Sequence, residues 1–384
     1  MKTSNAPLRV GVLFSKTGVA SAIESSQLQG TMLAIEEINA AGGIDGRELL
    51  PIYYDPGSLP SQYKTLAEKL IVEDGVRVIL GCYMSSERKA VLPLVERLNA
   101  LLFYPTLYEG FEYSPNVIYS GAAPNQNSVQ LAEFMMHAYG SRVYMVGSDY
   151  IYPYESNRIM SDLLLEHGGE KAGEHYVKLH AGVEDFTDVM RDVKNKRPDF
   201  IFSTVVGQAT ERFYRAYAES GLDPAQMPIA SLTTSEVEVQ QMGADIAAGH
   251  ITAATYFQSI NNDSNRRCVE KMKNRFGPDT VTNMCWEAAY FQTYLLAKGL
   301  TAVGNDNIQQ LVPAILGAEI AAPQGQVKID AENHHAYLTP RIGRVRSDGQ
   351  FDILQEATHP VKPDPYLVEH SLEDWSLRVT TART

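Results

Sequence analysis

The sequence predicts an α/β protein made of two lobes, each built on a doubly wound parallel sheet. Short β-rich runs alternate with longer helical patterns through about two thirds of the chain, as the βα units of a parallel sheet do. That alternation occurs twice in succession. The 384 residues, 44% apolar and 21% charged, are enough to build two ordinary hydrophobic cores.

In the first series, strand Leu8 to Phe14 leads to helix Gln27 to Asn39, where Leu28, Met32 and Ile35 fall four and three apart on one face. The turn Ala41-Gly42-Gly43-Ile44-Asp45-Gly46 closes that unit. Strand Leu49 to Tyr54, helix Ser61 to Val72, strand Val76 to Leu80, helix Ser86 to Leu98 and strand Leu101 to Tyr104 continue it. Val91, Leu94, Val95 and Leu98 mark the core face of the last helix. A second series begins after Asn116 to Gly121, with helix Gln126 to Ala138, strand Val143 to Gly147, helix Glu155 to His167 and strand Glu174 to Lys178. Helix Asp185 to Asn195, strand Asp199 to Val205, helix Ala209 to Ser220 and strands Ile229 to Leu232 and Ile251 to Tyr256 complete it. Helices Ser264 to Phe276 and Val281 to Thr301 follow, then short strands near Gln326 to Asp330, Ala336 to Val345 and Phe351 to Gln355. Pro340 has no N–H to donate and limits the middle strand to an edge or an interrupted pairing. No flexible Gly/Ser linker parts the two series, so several short crossovers form a hinge. One lobe is expected to hold residues 1–121 plus about 257–329, the other 122–256 plus about 330–384.

The balance of 33 basic and 46 acidic side chains gives a net charge of −13, which argues against direct contact with nucleic acid or an anionic membrane. No stretch approaches the ~18 uninterrupted apolar residues of a membrane span. The amino terminus shows no apolar run between a basic start and a small-residue cleavage site. The expected compartment is therefore the cytoplasm, or the periplasm if a signal peptide has been removed. Cys82, Cys268 and Cys285 are spaced for neither a disulfide scaffold nor a CxxC metal or redox site.

No catalytic signature stands out. Gly11-Val12-Leu13-Phe14-Ser15-Lys16-Thr17 misses a phosphate loop by one residue, because Ser15 occupies the position of a required glycine. There is no Gly-x-Ser-x-Gly elbow and no His-Glu-x-x-His. Cys82 ends an apolar strand beside Gly81 and reads as a small buried residue ahead of a thiol nucleophile. His334-His335 lacks a ligand partner at metal spacing and reads as an exposed turn. Neither a cofactor nor a metal is expected.

The informative feature is where hydroxyls gather. Gly81-Cys82-Tyr83-Met84-Ser85-Ser86, Phe103-Tyr104-Pro105-Thr106, Asp149-Tyr150-Ile151-Tyr152-Pro153 and Leu232-Thr233-Thr234-Ser235 all follow predicted strands, the ends at which open α/β sheets bind ligands. Ser85 or Ser86 is placed to cap the following helix and to aim its amino end at a ligand carbonyl. Taken singly, a tyrosine fills core or surface more often than a site. Four clusters at equivalent strand ends point instead to a pocket for a small, planar, neutral solute. Apart from Asp149, placed to cap the loop after it, these clusters are mostly neutral, whereas a charged guest calls for charged partners.

Several long motifs carry a family resemblance: Gly81-Cys82-Tyr83-Met84-Ser85, Arg88-Lys89-Ala90-Val91-Leu92-Pro93, the run Tyr104 to Asn116, Pro124-Asn125-Gln126-Asn127, Ser148 to Pro153, Ala230 to Glu236 and Asp364-Pro365-Tyr366. With these the chain resembles the amide-binding negative regulators of aliphatic amidase operons. Those regulators share the type I periplasmic-binding-protein fold with receptors for branched-chain amino acids and for urea or short-chain amides. The resemblance implies a pocket of Tyr83, Ser85, Tyr104, Thr106, Tyr150, Tyr152 and Thr233. Leu107 departs from the sensor pattern, which has a second proline there. The resemblance also implies a cytoplasmic amide sensor that holds an RNA-binding antiterminator silent and releases it on induction, so that RNA contact is indirect. In that picture Ser85 and the helix end meet the amide oxygen, Thr106 and Tyr104 meet the NH2, and Tyr152 and Thr233 close from the second lobe. The alternative is an extracytoplasmic receptor delivering urea or amides to an ABC importer. A third reading, amide hydrolysis at Cys82, is not expected, and a homo-oligomer is left open.

Overall fold

Strands that are apolar along their whole length must be covered on both faces, and the chain achieves this with two separate sheets. The computed structural model describes residues 6–368 and 377–379. The first sheet contains β1 (Leu8–Leu13), β2 (Leu49–Tyr54), β3 (Val78–Gly81), β4 (Leu101–Tyr104) and β5 (Val117–Tyr119), parallel throughout in the order β2-β1-β3-β4-β5. Helices α1 (Ser21–Ala40), α2 (Pro60–Val72) and α3 (Ser85–Arg97) connect its strands. The chain reverses its winding between β1 and β3, and such a switch point opens a crevice at the carboxyl ends of the strands.

The second series begins with α4 (Ser128–Ala138) and contributes β6 (Arg142–Ser148), β7 (Glu170–Val177), β8 (Phe200–Thr204), β9 (Ile229–Ser231) and β10 (Ile251–Ala254). Its helices are α5 (Ile151–Glu166), α6 (Thr187–Lys196), α7 (Gln208–Glu219), α8 (Glu236–Met242) and α9 (Ala244–Ala247). These strands pair in parallel as β7-β6-β8-β9-β10, the winding of the first sheet repeated.

The chain then returns to the first sheet with α10 (Asp263–Phe276) and α11 (Met284–Val303), followed by α12 (Ile308–Ile315). Helix α11 packs along α1, and Gly30 permits that approach, since a Cβ there would lie 2.5 Å from the Trp286 carbonyl oxygen. A small antiparallel sheet follows, made of β11 (Glu319–Ala322), β12 (Gly325–Ile329) and β13 (Ala336–Tyr337). Strands β14 (Arg341–Val345), β15 (Phe351–Ala357) and β16 (Leu377–Val379) extend the second sheet beyond β10, each antiparallel to its neighbour.

The differences from expectation have local causes. Helix α1 begins six residues before Gln27, and α5 begins at Ile151, not Glu155. Pro153 occupies the first turn of α5, where the missing N–H has no intrahelical partner to lose. Helix α12, which holds Pro313 in its interior, was not expected. The strand expected over Ala336 to Val345 is two strands separated by Leu338-Thr339-Pro340, the interruption that Pro340 imposes.

Candidate functional site

The connections after β3 and β4 in the first sheet face those after β6, β8 and β9 in the second across one small cavity. Tyr83, Ser85, Thr106 and Leu107 line it from one side, and Tyr150, Tyr152, Val206 and Thr233 from the other. Its interior volume is only about 10 Å³, room for about one water, and the surrounding empty space is about 210 Å³ with open solvent included. A larger hollow between α10, α11 and β11, about 970 Å³ including open solvent, lies away from the converging strand ends.

Six of the seven residues expected from the sequence share this cavity, and Tyr104 does not line it. The Tyr104 hydroxyl donates to the Tyr83 carbonyl at 2.7 Å, and its ring lies beneath the Arg88 guanidinium, 4.8 Å from the ring centre. Tyr104 therefore supports the wall from behind. Leu107 and Val206 complete the lining; Val206 carries no hydroxyl, the feature by which the clusters were recognised. Asp149 is exposed and accepts a hydrogen bond from the Tyr154 hydroxyl at 2.9 Å, outside the cavity.

Neither Ser85 nor Ser86 caps α3. The helix starts at Ser85, and the capping role falls to Glu87, whose Oε2 accepts from the N–H groups of Tyr83 and Met84 at 2.9 and 2.8 Å. Glu87 is wholly buried, and burial followed by the charge of Glu24 pushes its carboxyl well above the usual range. The Ser85 hydroxyl is free of capping and donates to Glu109 Oε2. Arg88 Nη1 lies 3.3 Å from the same Ser85 oxygen.

Behind Ser85 sits a charge cluster that the neutral motifs did not announce. Arg88 is completely buried and binds Glu109 at 3.0 Å and Glu112 at 2.8 Å. Lys89 reaches Glu112 at 3.1 Å, and the Tyr119 hydroxyl donates to Glu112 at 3.0 Å. Burial alone would raise the Glu112 carboxyl, but the Arg88 and Lys89 charges outweigh it and hold the group below its ordinary range.

Thr106 was expected to hydrogen-bond the guest, but its hydroxyl is engaged within the protein. It donates to the Cys82 carbonyl at 3.3 Å and accepts from Gln27 Nε2 at 2.9 Å, which makes Thr106 chiefly a steric wall. Gln27, far away in sequence, also donates to the Pro105 carbonyl at 3.1 Å. Across the cavity, the Thr233 hydroxyl donates to the Val205 carbonyl at 3.0 Å. The buried Tyr152 hydroxyl has Ser156 nearby but no well-formed hydrogen bond. Burial raises the Tyr83 and Tyr152 phenols, so each enters the site as a neutral O–H.

Two sequence readings outside the cavity are settled by burial. Cys82 is fully buried in the left-handed region at φ 70°. Burial, then the charges of Glu87 and Glu24, push its thiol up, which disfavours the thiolate a nucleophile requires. His334 and His335 are not an exposed turn: both are buried just after the turn at 331–333, and His335 forms a parallel β-bridge with Tyr119. His335 stacks on Tyr119 with ring centres 4.2 Å apart and meets the Tyr108 hydroxyl at 2.5 Å. Among the described residues no group of three or more potential metal ligands gathers, and no helix is long and apolar enough to cross a membrane.

Comparison with known proteins places this geometry. A family model described as periplasmic binding protein domain matches residues 8–372. The Leu/Ile/Val-binding protein homolog 6 of Brucella abortus (strain 2308) is 25% identical over 325 residues, covering 82% of this chain and 83% of that protein. The leucine-, isoleucine-, valine-, threonine-, and alanine-binding protein of Pseudomonas aeruginosa is 22% identical, covering 84% and 86%. Among solved structures, the solute binding protein of an ABC transporter from Rhodopseudomonas palustris BisB5, in complex with 3,4-dihydroxybenzoic acid, superposes with a TM-score of 0.83 at 22% identity, covering 94% of this chain and 99% of that one. A branched-chain amino acid transporter substrate binding protein from Streptococcus pneumoniae, in complex with isoleucine, gives 0.80 at 17% identity, covering 93% and 100%.

Proposed function

The chain belongs to the periplasmic binding protein domain family and has the type I fold, and from that premise we propose that it is a solute-binding protein for a small neutral amide or urea. Its lobes, residues 1–121 with about 257–329 and residues 122–256 with about 330–384, close around the guest. The observation that carries this reading is the lining of the cavity: neutral hydroxyls and short apolar side chains converge on it from both sides. The one buried cation behind it, Arg88, is already held by Glu109 and Glu112, so a carboxylate guest finds no free positive partner among the described lining residues.

A four-heavy-atom amide has at most ~6 kcal/mol available at ~1.5 kcal/mol per atom, a dissociation constant of roughly tens of micromolar. Such a guest biases a poised equilibrium between lobe arrangements and does no more than that. Millimolar acetamide, propionamide, butyramide or urea, at about 100 times that constant, is expected to stabilise the native state by about 2.7 kcal/mol. The reading fails if none of the four raises the melting temperature. Thr106→Trp is expected to abolish binding in calorimetry, and Leu107→Ala to admit longer acyl chains.

The relatives support delivery of the solute to an ABC importer, and with it the periplasmic alternative over the cytoplasmic reading. A second output, release of an RNA-binding antiterminator on amide binding, has the resemblance to amidase regulators as its support. The run Tyr104 to Asn116, one of the motifs that carry that resemblance, supplies Glu109 and Glu112 behind Ser85. Deleting the gene separates the two outputs: loss of amide uptake supports the receptor, and constitutive amidase expression supports the regulator.

A further inference from the structure

We propose that Glu109, held in place by Arg88, is the positioning residue that makes the cavity select guests carrying an N–H on the carbonyl carbon. The inference rests on the small-amide reading above. A serine hydroxyl has one hydrogen and two lone pairs. In Ser85 the hydrogen goes to Glu109 Oε2, and Arg88 Nη1 approaches one lone pair at 3.3 Å. A single lone pair remains for a guest, so Ser85 accepts and cannot donate. This reverses the assignment in which Ser85 meets the amide oxygen: it meets the NH2.

Glu109 has no freedom to relax this arrangement. Its other oxygen holds Arg88 Nη2 at 3.0 Å, and a carboxylate in an ion pair only accepts. Arg88 is itself fixed by Glu112 at 2.8 Å and lies over the rings of Tyr104 and Tyr108, 4.8 and 4.7 Å from their centres. The residues that set the polarity are shielded from water, with Ser85, Arg88, Glu109 and Glu112 at 2%, 0%, 3% and 9% exposure. The two cations Arg88 and Lys89 balance the two carboxylates Glu109 and Glu112, so the cluster offers an anionic guest no net attraction. A ketone or carboxylate oxygen set against Ser85 meets a lone pair with a carboxylate behind it, whereas an amide or urea N–H completes the bond.

Calorimetric titration of the intact protein with acetamide, urea, acetone and acetate tests this. Acetone matches acetamide in size and replaces NH2 by methyl. The parent protein is expected to bind acetamide and urea at least roughly a hundredfold more tightly than acetone or acetate, as sites built to pair a substrate N–H do. In Glu109→Gln the carboxamide oxygen must stay on Arg88, so its NH2 faces Ser85 and frees the serine hydrogen for the guest. The acetamide-to-acetone ratio then falls at least roughly tenfold, with acetone gaining while acetamide loses. A merely structural role for Glu109 would weaken all four guests together and leave the ratio unmoved, and that result overturns the proposal. If Glu109→Gln does not fold, Ser85→Ala decides, because it leaves the Arg88–Glu109 pair intact. Acetamide is expected to weaken about tenfold with acetone unchanged, and an unmoved ratio again overturns the inference. A parent protein that binds acetamide and acetone alike defeats the selectivity alone; one that binds neither acetamide nor urea defeats the small-amide reading with it.

Discussion

The two walls of the cavity are built from equivalent pieces, loops after parallel strands, yet they hold their hydroxyls by different means. On the first lobe, Ser85 is oriented by the buried ions Arg88, Glu109 and Glu112. On the second, a neutral relay does the same work. The N–H groups of Thr233 and Thr234 share the Ser231 hydroxyl at 3.0 Å each, and the Tyr214 and Thr234 hydroxyls meet at 3.0 Å. Breaking a buried ion cluster leaves an uncompensated charge, while breaking a hydroxyl relay leaves at worst an unpaired dipole. One topology thus supports a wall held by buried ions and a wall held by neutral hydroxyls.

The sharpest way to break that contrast is Arg88→Met, which strands Glu109 and Glu112. Denaturant unfolding is expected to show a loss of about 3–5 kcal/mol, and a loss under ~1 kcal/mol would remove the distinction between the walls. Gly121→Ala tests the first wall sterically, since its Cβ would lie 2.0 Å from the Thr106 carbonyl carbon. A loss of about 1–3 kcal/mol together with weaker amide binding is expected. Thr234→Val on the second wall should cost only about 1–2 kcal/mol, measured in the same way.

A pH series sharpens the comparison further, because a neutral imidazole is buried beside each sheet. Burial lowers His250, packed against Tyr214 and Tyr217 of the second lobe, to about 3. Burial likewise lowers His335, stacked on Tyr119 of the first sheet, to about 3. Below the ordinary value of 6.5 the unfolded chain takes up protons that the folded chain refuses. The stability these groups contribute is therefore complete above pH 6.5 and is lost as pH falls toward 3. Replacing either histidine with phenylalanine is expected to flatten the acid limb by up to about 1.4 kcal/mol per pH unit. Equal slopes in variant and parent would show that the imidazole is already charged when folded. The smallest effect is expected at the thiols. Cys82, Cys268 and Cys285 are buried, so alkylation at pH 8 should label none of them until the protein is unfolded, and acetamide should release no ammonia.

Much of this architecture was legible because it depends on local periodicity. Branched runs at Leu8, Leu49 and Leu101, and helix faces such as Val91, Leu94 and Val95, can bury themselves in only one way. The hydroxyl clusters were legible because they directly follow those strands. Harder to read were places where local chemistry points one way and packing the other. Helix α5 starts four residues earlier than expected and takes in Pro153, and His334-His335 looks like a solvated turn yet is buried, with His335 stacked on Tyr119. Tyr104 shares the motif of the cavity residues, but its position in the strand turns it toward Arg88.

By itself the chain determined the winding of both sheets, the crevice where their carboxyl ends converge and the hydroxyl-rich residues that converge there, because each follows from spacing along a few residues. Only the tertiary structure decided which way those hydroxyls point. Ser85 takes its direction from Glu109, 24 positions on, and Thr106 takes its direction from the Cys82 carbonyl, 24 positions back, while Gln27, 79 positions back, donates to it. A hydroxyl hydrogen goes to the strongest acceptor in space, and that acceptor is brought within reach only when distant segments fold against each other.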